Sequence, residues 1–390
     1  MNEIKKAIII GGSNGIGLGI SLNLLERGYQ TVILDICEPD KAIVRGKGNC
    51  TFYHYNLLDP DEEILEMLSN DSQVDFLMIT AGVGRVADFE YLHPAEIEKV
   101  IKIDALQPLK IIRTFYSRIK NQRTFYCGIM GSIAGLVSSP MFSVYAAAKA
   151  GVCRFVESVN IELEMAGTKN RILNVSPGSI NGTRFNGGQE TDLGSIELLA
   201  AQIVDHVLAS DVLFIPKYEE IFHSVILRYQ ADAHEYGIHS YQYKLQSGRE
   251  QNKCVAKIGY LSGTFDLFHV GHLNLLRRAK SACDYLIVGV HPNAAHKGKE
   301  AFIPFEQRME IVAACKYVDK VVPSCPEDSD AWNLWHYNLL FVGSDYKGTE
   351  RFKRYEEELK EKNVKIVYFP YTEEVSSTRI RQKIQNSNQE

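Results

Sequence analysis

Short apolar runs alternate along this chain with longer stretches in which apolar residues recur every three or four positions. Apolar runs at 7–10, 31–34, 51–55, 74–79 and 124–130 predict strands. Helical patterns lie between them, notably at 61–68 and at 95–119, with an interruption expected near Pro108. Strands that alternate with helices are typical of α/β folds, so this part of the chain is predicted to form a doubly wound parallel sheet.

A second series of the same kind follows. Apolar runs at 255–261, 285–290, 317–322, 340–346 and 365–369 predict strands, and 273–279, 305–316 and 351–362 predict helices. We therefore expect a Rossmann-type domain at 1–238, a linker at 239–252 and a smaller Rossmann-like domain at 253–390.

Composition narrows the class of protein. The 390 residues are 45% hydrophobic and 23% charged, as in ordinary globular proteins, and the net charge of −5 argues against a general nucleic-acid surface. The eight cysteines form no C-x-x-C pair, which favours reduced thiols in a cytoplasmic protein. We see no signal peptide, and no apolar run approaches the roughly 20 residues of a membrane span.

The first predicted strand ends in a glycine-rich turn, in which Gly11, Gly15 and Gly17 form the pattern G-x-x-x-G-x-G. Such a turn at a helix start suits a dinucleotide pyrophosphate, because helix N–H groups face it and glycine lets the backbone approach. Asp35, after the second strand, can accept hydrogen bonds from ribose hydroxyls and repels a 2′-phosphate. It favours NAD(H) over NADP(H), although Lys41 or Arg45 can still fold back toward a phosphate.

A tyrosine and a lysine four residues apart, Tyr145 and Lys149, share one face of a predicted helix. An ammonium beside a phenol favours the phenolate, so Tyr145 can exchange a proton with a substrate oxygen. Ser132 can hydrogen-bond the same oxygen. Taken alone, the pair fits a solvated helix face better, but Ser132, the glycine-rich turn and Pro177-Gly178 together favour catalysis.

On these motifs, residues 5 to about 185 resemble the short-chain dehydrogenase/reductase family. The resemblance implies that Tyr145 is the general acid/base, Ser132 orients the substrate and Lys149 holds the nicotinamide ribose. Two positions depart from the family pattern: Asp104 replaces the usual asparagine of a proton relay, and Asn56 replaces an aspartate that often contacts adenine. The charge of Asp104 is expected to perturb Lys149. The cofactor-binding residues that the turn and the resemblance indicate are Gly11, Ser13, Asn14, Gly15, Ile16, Gly17, Asp35, Asn56, Ala81, Gly82, Pro177 and Gly178.

In the second domain an H-x-G-H step, His269 to His272, lies between a predicted strand and a predicted helix. The helix start offers N–H groups and a positive dipole end to phosphates, and Gly271 lets the backbone come close. Lys297 and Lys299 lie in a loop from which they can reach triphosphate oxygens, although a solvated basic loop explains them equally well.

Residues 254 to about 385 resemble the glycerol-3-phosphate cytidylyltransferases, within the H-x-G-H nucleotidyltransferases. The shared motifs, in order, are G-T-F-D-x-x-H-x-G-H at 263–272, the basic loop with Arg308 after it, Y-V-D at 317–319, G-x-D with an aromatic at 343–346, and S-S-T-R-I at 376–380. The resemblance implies that CTP, with Mg²⁺ bridging its oxygens, is bound by Gly263, Thr264, Phe265, His269, His272, Lys297, Asp345, Ser376, Ser377 and Thr378. Of these, His269, His272 and Lys297 are implied to be catalytic. Asn293 and Tyr371 replace an aspartate and an arginine of the family, which suggests an altered acceptor.

The order of the two domains predicts a bifunctional enzyme. The first would reduce a phosphorylated ketose or aldose to an alditol phosphate. The second would transfer CMP from CTP to it, giving a CDP-alditol such as CDP-ribitol, CDP-arabinitol or CDP-glycerol for a surface polysaccharide. Two alternatives are an ATP-using H-x-G-H enzyme and a nucleotide-binding regulator with decayed sites. Both families commonly form dimers or tetramers, so a homo-oligomer is expected from the resemblance.

Overall fold

The computed structural model describes residues 5–44, 48–180, 183, 185, 191–248, 257–293 and 300–370. The chain divides into two compact units, Met1–Lys253 and Cys254–Glu390. Each unit contains one sheet in which the paired strands are parallel. The predicted fold class, two doubly wound α/β domains, is confirmed.

The sheet of the first unit has the strand order β3-β2-β1-β4-β5-β6-β7. Its strands are β1 (Lys6–Ile10), β2 (Gln30–Asp35), β3 (Cys50–His54), β4 (Val74–Ile79), β5 (Tyr126–Met130), β6 (Ile172–Val175) and β7 (Leu213–Phe214). The order reverses between β1 and β4, and open parallel sheets bind ligands beyond the carboxyl ends of the strands at such a reversal. The glycine-rich turn follows β1 and Ala81-Gly82 follows β4, so both lie where a ligand is expected.

Helices cover both faces of this sheet. They are α1 (Gly15–Glu26), α2 (Lys41–Val44), α3 (Glu62–Asn70), α4 (Pro94–Ile101), α5 (Gln107–Ile119), α6 (Ser143–Met165), α7 (Leu193–Leu208), α8 (His223–Ala231) and α9 (Ala233–Gln246). Side chains along β1 alternate between two apolar cores: Ile8 and Ile10 pack with α5 and α6, whereas Ala7 and Ile9 pack with α1 and α7. A strand buried on both faces has no polar alternation, which explains the continuous apolar run.

The helical stretch predicted at 95–119 is interrupted just before Pro108, as expected. A π-helical turn, Lys102–Leu106, separates α4 from α5, and Pro108 lies in the first turn of α5. Proline is tolerated there because the first helical N–H groups need no intrahelical acceptor. The π turn carries Asp104, whose side chain is fully buried.

The segment predicted as a linker begins inside α9, which continues to Gln246. The Lys244 ammonium donates to the Ser139 hydroxyl at 2.7 Å and to the Pro140 carbonyl at 2.6 Å. These contacts anchor the helix to the loop that precedes α6. Residues 239–246 are therefore part of a packed helix of the first unit.

The second unit has the strand order β10-β9-β8-β11-β12, which reverses between β8 and β11. Its strands are β8 (Ile258–Gly263), β9 (Tyr285–Val290), β10 (Lys320–Pro323), β11 (Leu339–Gly343) and β12 (Lys365–Phe369), and its helices are α10 (Val270–Ala282), α11 (Phe305–Ala313), α12 (Asp328–Trp335) and α13 (Glu350–Lys360). Helix α12 was not predicted, and β10 is shorter than the apolar run at 317–322. Across the described parts of both units, no helix is long and apolar enough to cross a membrane.

Candidate functional sites in the two units

The glycine-rich turn has the backbone that its sequence predicts. Gly11 and Gly15 have positive φ angles of 84° and 53°, a region that side chains rarely adopt. Gly17 lies in the first turn of α1, against the glycine-rich turn. A Cβ atom there would overlap the Gly11 carbonyl oxygen and lie 2.5 Å from the Thr80 hydroxyl oxygen. The close approach of α1 to the turn thus depends on glycine.

Replacing Gly17 with alanine is expected to disturb this turn. Overpacking of this kind typically costs about 1–3 kcal/mol of the free energy of unfolding. We expect Gly17→Ala to weaken binding of NADH, measured by fluorescence titration, by tenfold or more. Gly151→Ala is the matched control, because a Cβ at this helical glycine meets no atom within 4 Å. Unchanged NADH affinity in Gly17→Ala would show that the turn does not hold the cofactor.

Asp35 and Ser13 meet across the turn. One Asp35 carboxylate oxygen accepts from the Ser13 N–H at 3.0 Å and the other from its neighbour Ile36 at 2.7 Å. The buried Ser13 hydroxyl has no hydrogen-bond partner among the described residues. An unsatisfied buried hydroxyl beside a glycine turn fits a ligand oxygen, because such groups are normally paired.

The other residues predicted to contact the cofactor lie around the same strand ends. The Asn56 side-chain oxygen accepts from the Leu58 N–H at 3.0 Å, and the Ala81 N–H donates to the Ile10 carbonyl at 3.1 Å. A Cβ at Gly178 would overlap the ring of Phe222, so a side chain there would displace that ring. Asn14 donates its side-chain amide to the Cys37 sulfur at 3.2 Å. Their roles in cofactor binding stay predictions.

Ser132, Tyr145 and Lys149 are brought together at the carboxyl end of β5. The Ser132 hydroxyl accepts from the Ala134 N–H at 3.2 Å, and it also forms a side-chain hydrogen bond to Tyr145. The Lys149 ammonium lies 5.5 Å from the centre of the Tyr145 ring. All three side chains are more than nine-tenths buried. The helical spacing of α6 therefore places the Lys149 ammonium, and the end of β5 places the Ser132 hydroxyl, beside one phenol.

Two aromatic side chains fix the Tyr145 ring. Phe142 stacks on it with the ring centres 4.3 Å apart, and Phe185 lies 5.3 Å away. The sequence interpretation missed both, although Phe142 lies directly before α6 and only three residues before Tyr145. The sequence also gave no signal for Thr191, whose hydroxyl accepts from the Gly15 N–H of the turn at 2.9 Å.

The phenol of Tyr145 is subject to opposing influences. Burial raises its pKa, the Lys149 ammonium lowers it, and the Asp104 carboxylate raises it again, with a net upward shift. The pKa of Lys149 is also raised: burial disfavours its charge, but the attraction of Asp104 outweighs that effect. Lys149 therefore stays an ammonium beside a phenol that is protonated at neutral pH.

In the second unit, the H-x-G-H step forms the start of α10. His269 is the residue before the helix, and its Nδ1 accepts from the Gly271 N–H at 3.0 Å. A ring nitrogen that accepts carries no proton, so Nε2 of His269 carries it and is a donor. The ring of His272 stacks on that of His269 with their centres 4.0 Å apart. Burial lowers the pKa of His269, in keeping with a neutral imidazole.

The loop that leads into this helix is tightly held. Phe265 and Leu267 have left-handed backbones, with φ of 52° and 49°, which is uncommon outside glycine and marks local strain. The Asp266 carboxylate accepts from the N–H groups of Phe302 and Ile303 at 3.1 and 2.9 Å. The buried hydroxyl of Thr264 has no hydrogen-bond partner among the described residues. As at Ser13, an unsatisfied hydroxyl lies where a phosphate oxygen is predicted.

Arg308 binds this loop to its surroundings. Its guanidinium donates to the carbonyl oxygens of Thr264 at 2.6 Å, His291 at 2.8 Å, Pro292 at 2.9 Å and Ile303 at 2.9 Å. The side chain is 1% exposed, so these carbonyls have no water to replace it. Arg308 therefore fixes the end of β8 against the end of β9.

Arg308→Lys is expected to destabilise the second unit. A lysine cannot present the planar fork of donors, so several buried carbonyl oxygens lose their partner at about 1–3 kcal/mol each. The unfolding midpoint in denaturant should fall for the second unit, and nucleotide binding should weaken with it. Arg277→Lys is the control, because that exposed guanidinium contacts Asn274 on its own helix. Equal stability of the two variants would contradict this role.

Only some of the other residues predicted to bind CTP lie among the described residues. Asp345 lies on an exposed turn after β11, close above Gly343. Gly263 ends β8, and its carbonyl accepts from the His291 N–H at 2.9 Å. Lys297, Ser376, Ser377 and Thr378 lie outside the described residues, as does Tyr371. Within the described ranges, no group of three or more His, Cys, Asp or Glu side chains is arranged to hold a metal ion.

Comparison with known proteins gives a family for each unit. Residues 5–194 match the short chain dehydrogenase family, and residues 260–383 match the cytidylyltransferase-like family. The glycerol-3-phosphate cytidylyltransferase of Bacillus subtilis (strain 168) is 36% identical over 126 residues, which are 31% of this chain and 92% of that protein.

One further curated protein and one solved structure are similar to this chain. An uncharacterized oxidoreductase of Saccharomyces cerevisiae, TDA5, is 30% identical over 198 residues, 48% of this chain and 59% of that protein. The crystal structure of a short-chain dehydrogenase from Streptomyces avermitilis covers 63% of this chain and 99% of its own, with a TM-score of 0.49 and 17% identity. The chain thus belongs to the cytidylyltransferase-like family through its second unit, and its first unit is a short chain dehydrogenase domain.

Proposed function

We propose that the protein makes a CDP-alditol in two consecutive steps. The first unit reduces a phosphorylated ketose or aldose with NADH or NADPH, and the second transfers CMP from CTP to the resulting alditol phosphate. The observation that carries the proposal is the presence, in one chain, of a packed Ser132, Tyr145 and Lys149 group and of an H-x-G-H helix start. The name of the Bacillus relative supports a polyol phosphate as the acceptor.

The first unit offers what a nicotinamide cofactor requires. The Ser13 hydroxyl, without a partner among the described residues, and the side-chain-free surface of Gly17 fit its pyrophosphate. The Asp35 carboxylate next to that turn favours NAD(H), because it would repel a 2′-phosphate. The bound cofactor supplies the hydride.

The protein's own side chains supply the proton that the substrate oxygen receives. Ser132 donates a hydrogen bond to the substrate carbonyl and orients it, while Tyr145 gives its phenol proton to the oxygen as the hydride arrives at the carbon. Lys149 stabilises the phenolate that remains, since its ammonium faces the ring. The aromatic contacts of Phe142 and Phe185 hold the phenol in one orientation.

No covalent enzyme intermediate is needed in the second step. An acceptor phosphate oxygen attacks the α-phosphorus of CTP in line, and pyrophosphate leaves. The Nε2 donor of His269, the Thr264 hydroxyl and the N-terminal N–H groups of α10 face the developing negative charge. Mg²⁺ bound together with CTP would neutralise part of the charge on its phosphates.

A substrate panel tests the proposal. Phosphorylated trioses, tetroses, pentoses and hexoses are supplied with NADH and CTP, and NADH oxidation and pyrophosphate release are followed together. We expect one sugar phosphate to drive both signals, with pyrophosphate release depending on NADH until the matching alditol phosphate is added. Pyrophosphate release with ATP alone, or NADH oxidation that never yields an acceptor for CTP, would overturn it. We also propose that the protein is cytoplasmic and forms a homo-oligomer.

A further inference from the structure

A buried carboxylate touches the catalytic lysine of the first unit. An oxygen of Asp104, on the π turn between α4 and α5, lies 3.1 Å from the Lys149 ammonium. Asp104 is 0% exposed and Lys149 is 2% exposed, so water screens neither charge. A charge this deeply buried is costly unless it is paired, and here each is the partner of the other.

Backbone groups hold this pair in one arrangement. The Val83 N–H donates to Asp104 at 3.0 Å, and Lys149 also donates to the Met130 carbonyl at 2.9 Å. Gly82 leaves space for the carboxylate beside it, because a Cβ there would lie 2.7 Å from the Asp104 oxygen. The ends of β4 and β5 therefore fix the carboxylate and the ammonium against each other.

The pair changes the charge that surrounds Tyr145. The titratable groups that act on this phenol are Lys149, Asp104 and the thiol of Cys153, and Ser132 adds a neutral hydrogen bond. Burial raises the pKa of Asp104, whereas the Lys149 ammonium and the Val83 N–H lower it. As an ion pair with Lys149 at 3.1 Å, Asp104 makes the three-residue cluster neutral while the phenol is protonated, and the cluster carries one negative charge once the phenolate forms. A neutral side chain at position 104 would instead leave a positive cluster that becomes neutral.

We propose that Asp104 is a positioning residue that, through its contact with Lys149, keeps Tyr145 in the phenol form and so moves the pH limits of the reductase to more alkaline values. The inference rests on the proposed reductase function. In the step itself, a hydride passes from the reduced cofactor to the carbonyl carbon and the phenol proton passes to the oxygen, leaving an alcohol, the oxidised cofactor and a phenolate. Asp104 touches none of the reacting atoms; it opposes formation of that phenolate.

The consequence concerns the pH ranges in which reduction and oxidation can proceed. Reduction needs the protonated phenol, and oxidation of an alcohol needs the phenolate. A phenol that holds its proton sustains reduction through neutral and mildly alkaline pH and delays oxidation to a higher pH. Asp104 thereby suits the first unit to supplying an alcohol to a following step.

The test measures the phenol directly. The full-length protein is labelled with 13C-tyrosine, and the signal of Tyr145, one of 20 tyrosines, is identified by its loss in Tyr145→Phe. Asp104→Asn is expected to lower the pKa of Tyr145 by about one unit or more, the usual effect of removing a nearby like charge. The alkaline limb of reductive kcat/KM should move by the same amount. Asp75→Asn is the matched control. That half-buried carboxylate, on β4, acts on Tyr29 and is not among the groups that act on Tyr145.

Two outcomes decide the matter. An unchanged Tyr145 pKa in folded Asp104→Asn overturns the inference. If that variant does not fold, the double variant Asp104→Asn, Lys149→Met removes both charges together. A Tyr145 pKa close to that of the wild type in the double variant supports the inference. A Tyr145 pKa raised by about a unit or more overturns it. The titration needs no substrate. If the Tyr145 pKa shifts as expected but no sugar phosphate is reduced, only the proposed function fails.

Discussion

Tyr145→Phe is expected to lower the rate of carbonyl reduction by a factor of about 10² to 10⁴, the usual contribution of a general acid. The substitution removes the phenol oxygen and keeps the ring, so the hydride donor and the substrate can still bind but no proton reaches the carbonyl oxygen. The measurement is NADH oxidation with the sugar phosphate that the panel identifies. Transfer of CMP to a supplied alditol phosphate should keep its full rate.

The packing around Tyr145 allows wild type and Tyr145→Phe to be compared without a change in the surrounding contacts. Phenylalanine preserves the stacking on Phe142 and the contact with Phe185, so the unfolding temperature should change little. Phe142→Leu serves as a second variant, because it disturbs the orientation of the phenol without removing it and should give a smaller loss. Parallel loss of both activities in Tyr145→Phe would contradict two independent sites.

His269→Asn should reverse the pattern, with CMP transfer reduced by about 10² to 10³ and carbonyl reduction unchanged. That range is typical of removing one preorganised donor from a site where negative charge develops. The expected cause is loss of the Nε2 donor, whose proton position follows from the Gly271 N–H contact at Nδ1. Pyrophosphate release from CTP with a supplied alditol phosphate measures it.

Substitution by asparagine distinguishes loss of the imidazole donor from loss of the helix cap. His269 also caps α10, and asparagine is a good capping residue, so His269→Asn should keep the fold of the helix start. His269→Ala loses the cap as well, which typically costs about 1 kcal/mol. Equal transfer rates in wild type and His269→Asn, at equal stability, would show that the imidazole plays no part in the transfer.

The sequence alone predicted both local motifs and the fold class. Apolar runs, glycine positions and the H-x-G-H step are contiguous, and a strand that passes through a tight turn into a helix is specified by neighbouring residues. The Gly11, Gly15 and Gly17 turn and the start of α10 accordingly lie where their sequences indicate. Segments without such signals were predicted less well: the supposed linker is largely α9, and α12 was missed.

The sequence, with the family resemblance, identified Asp104 as a departure and Lys149 as the group that its charge would perturb, but not that the two side chains are in direct contact. Asp104 and Lys149 are far apart along the chain, and they lie within 3.1 Å because the π turn and α6 pack together beside the ends of the neighbouring strands β4 and β5. The four carbonyl contacts of Arg308 and the anchoring of α9 by Lys244 arise in the same way. The sequence determined which chemical groups the protein carries, because local pattern encodes local structure. The tertiary structure decided which charges face each other, because that depends on packing between distant segments.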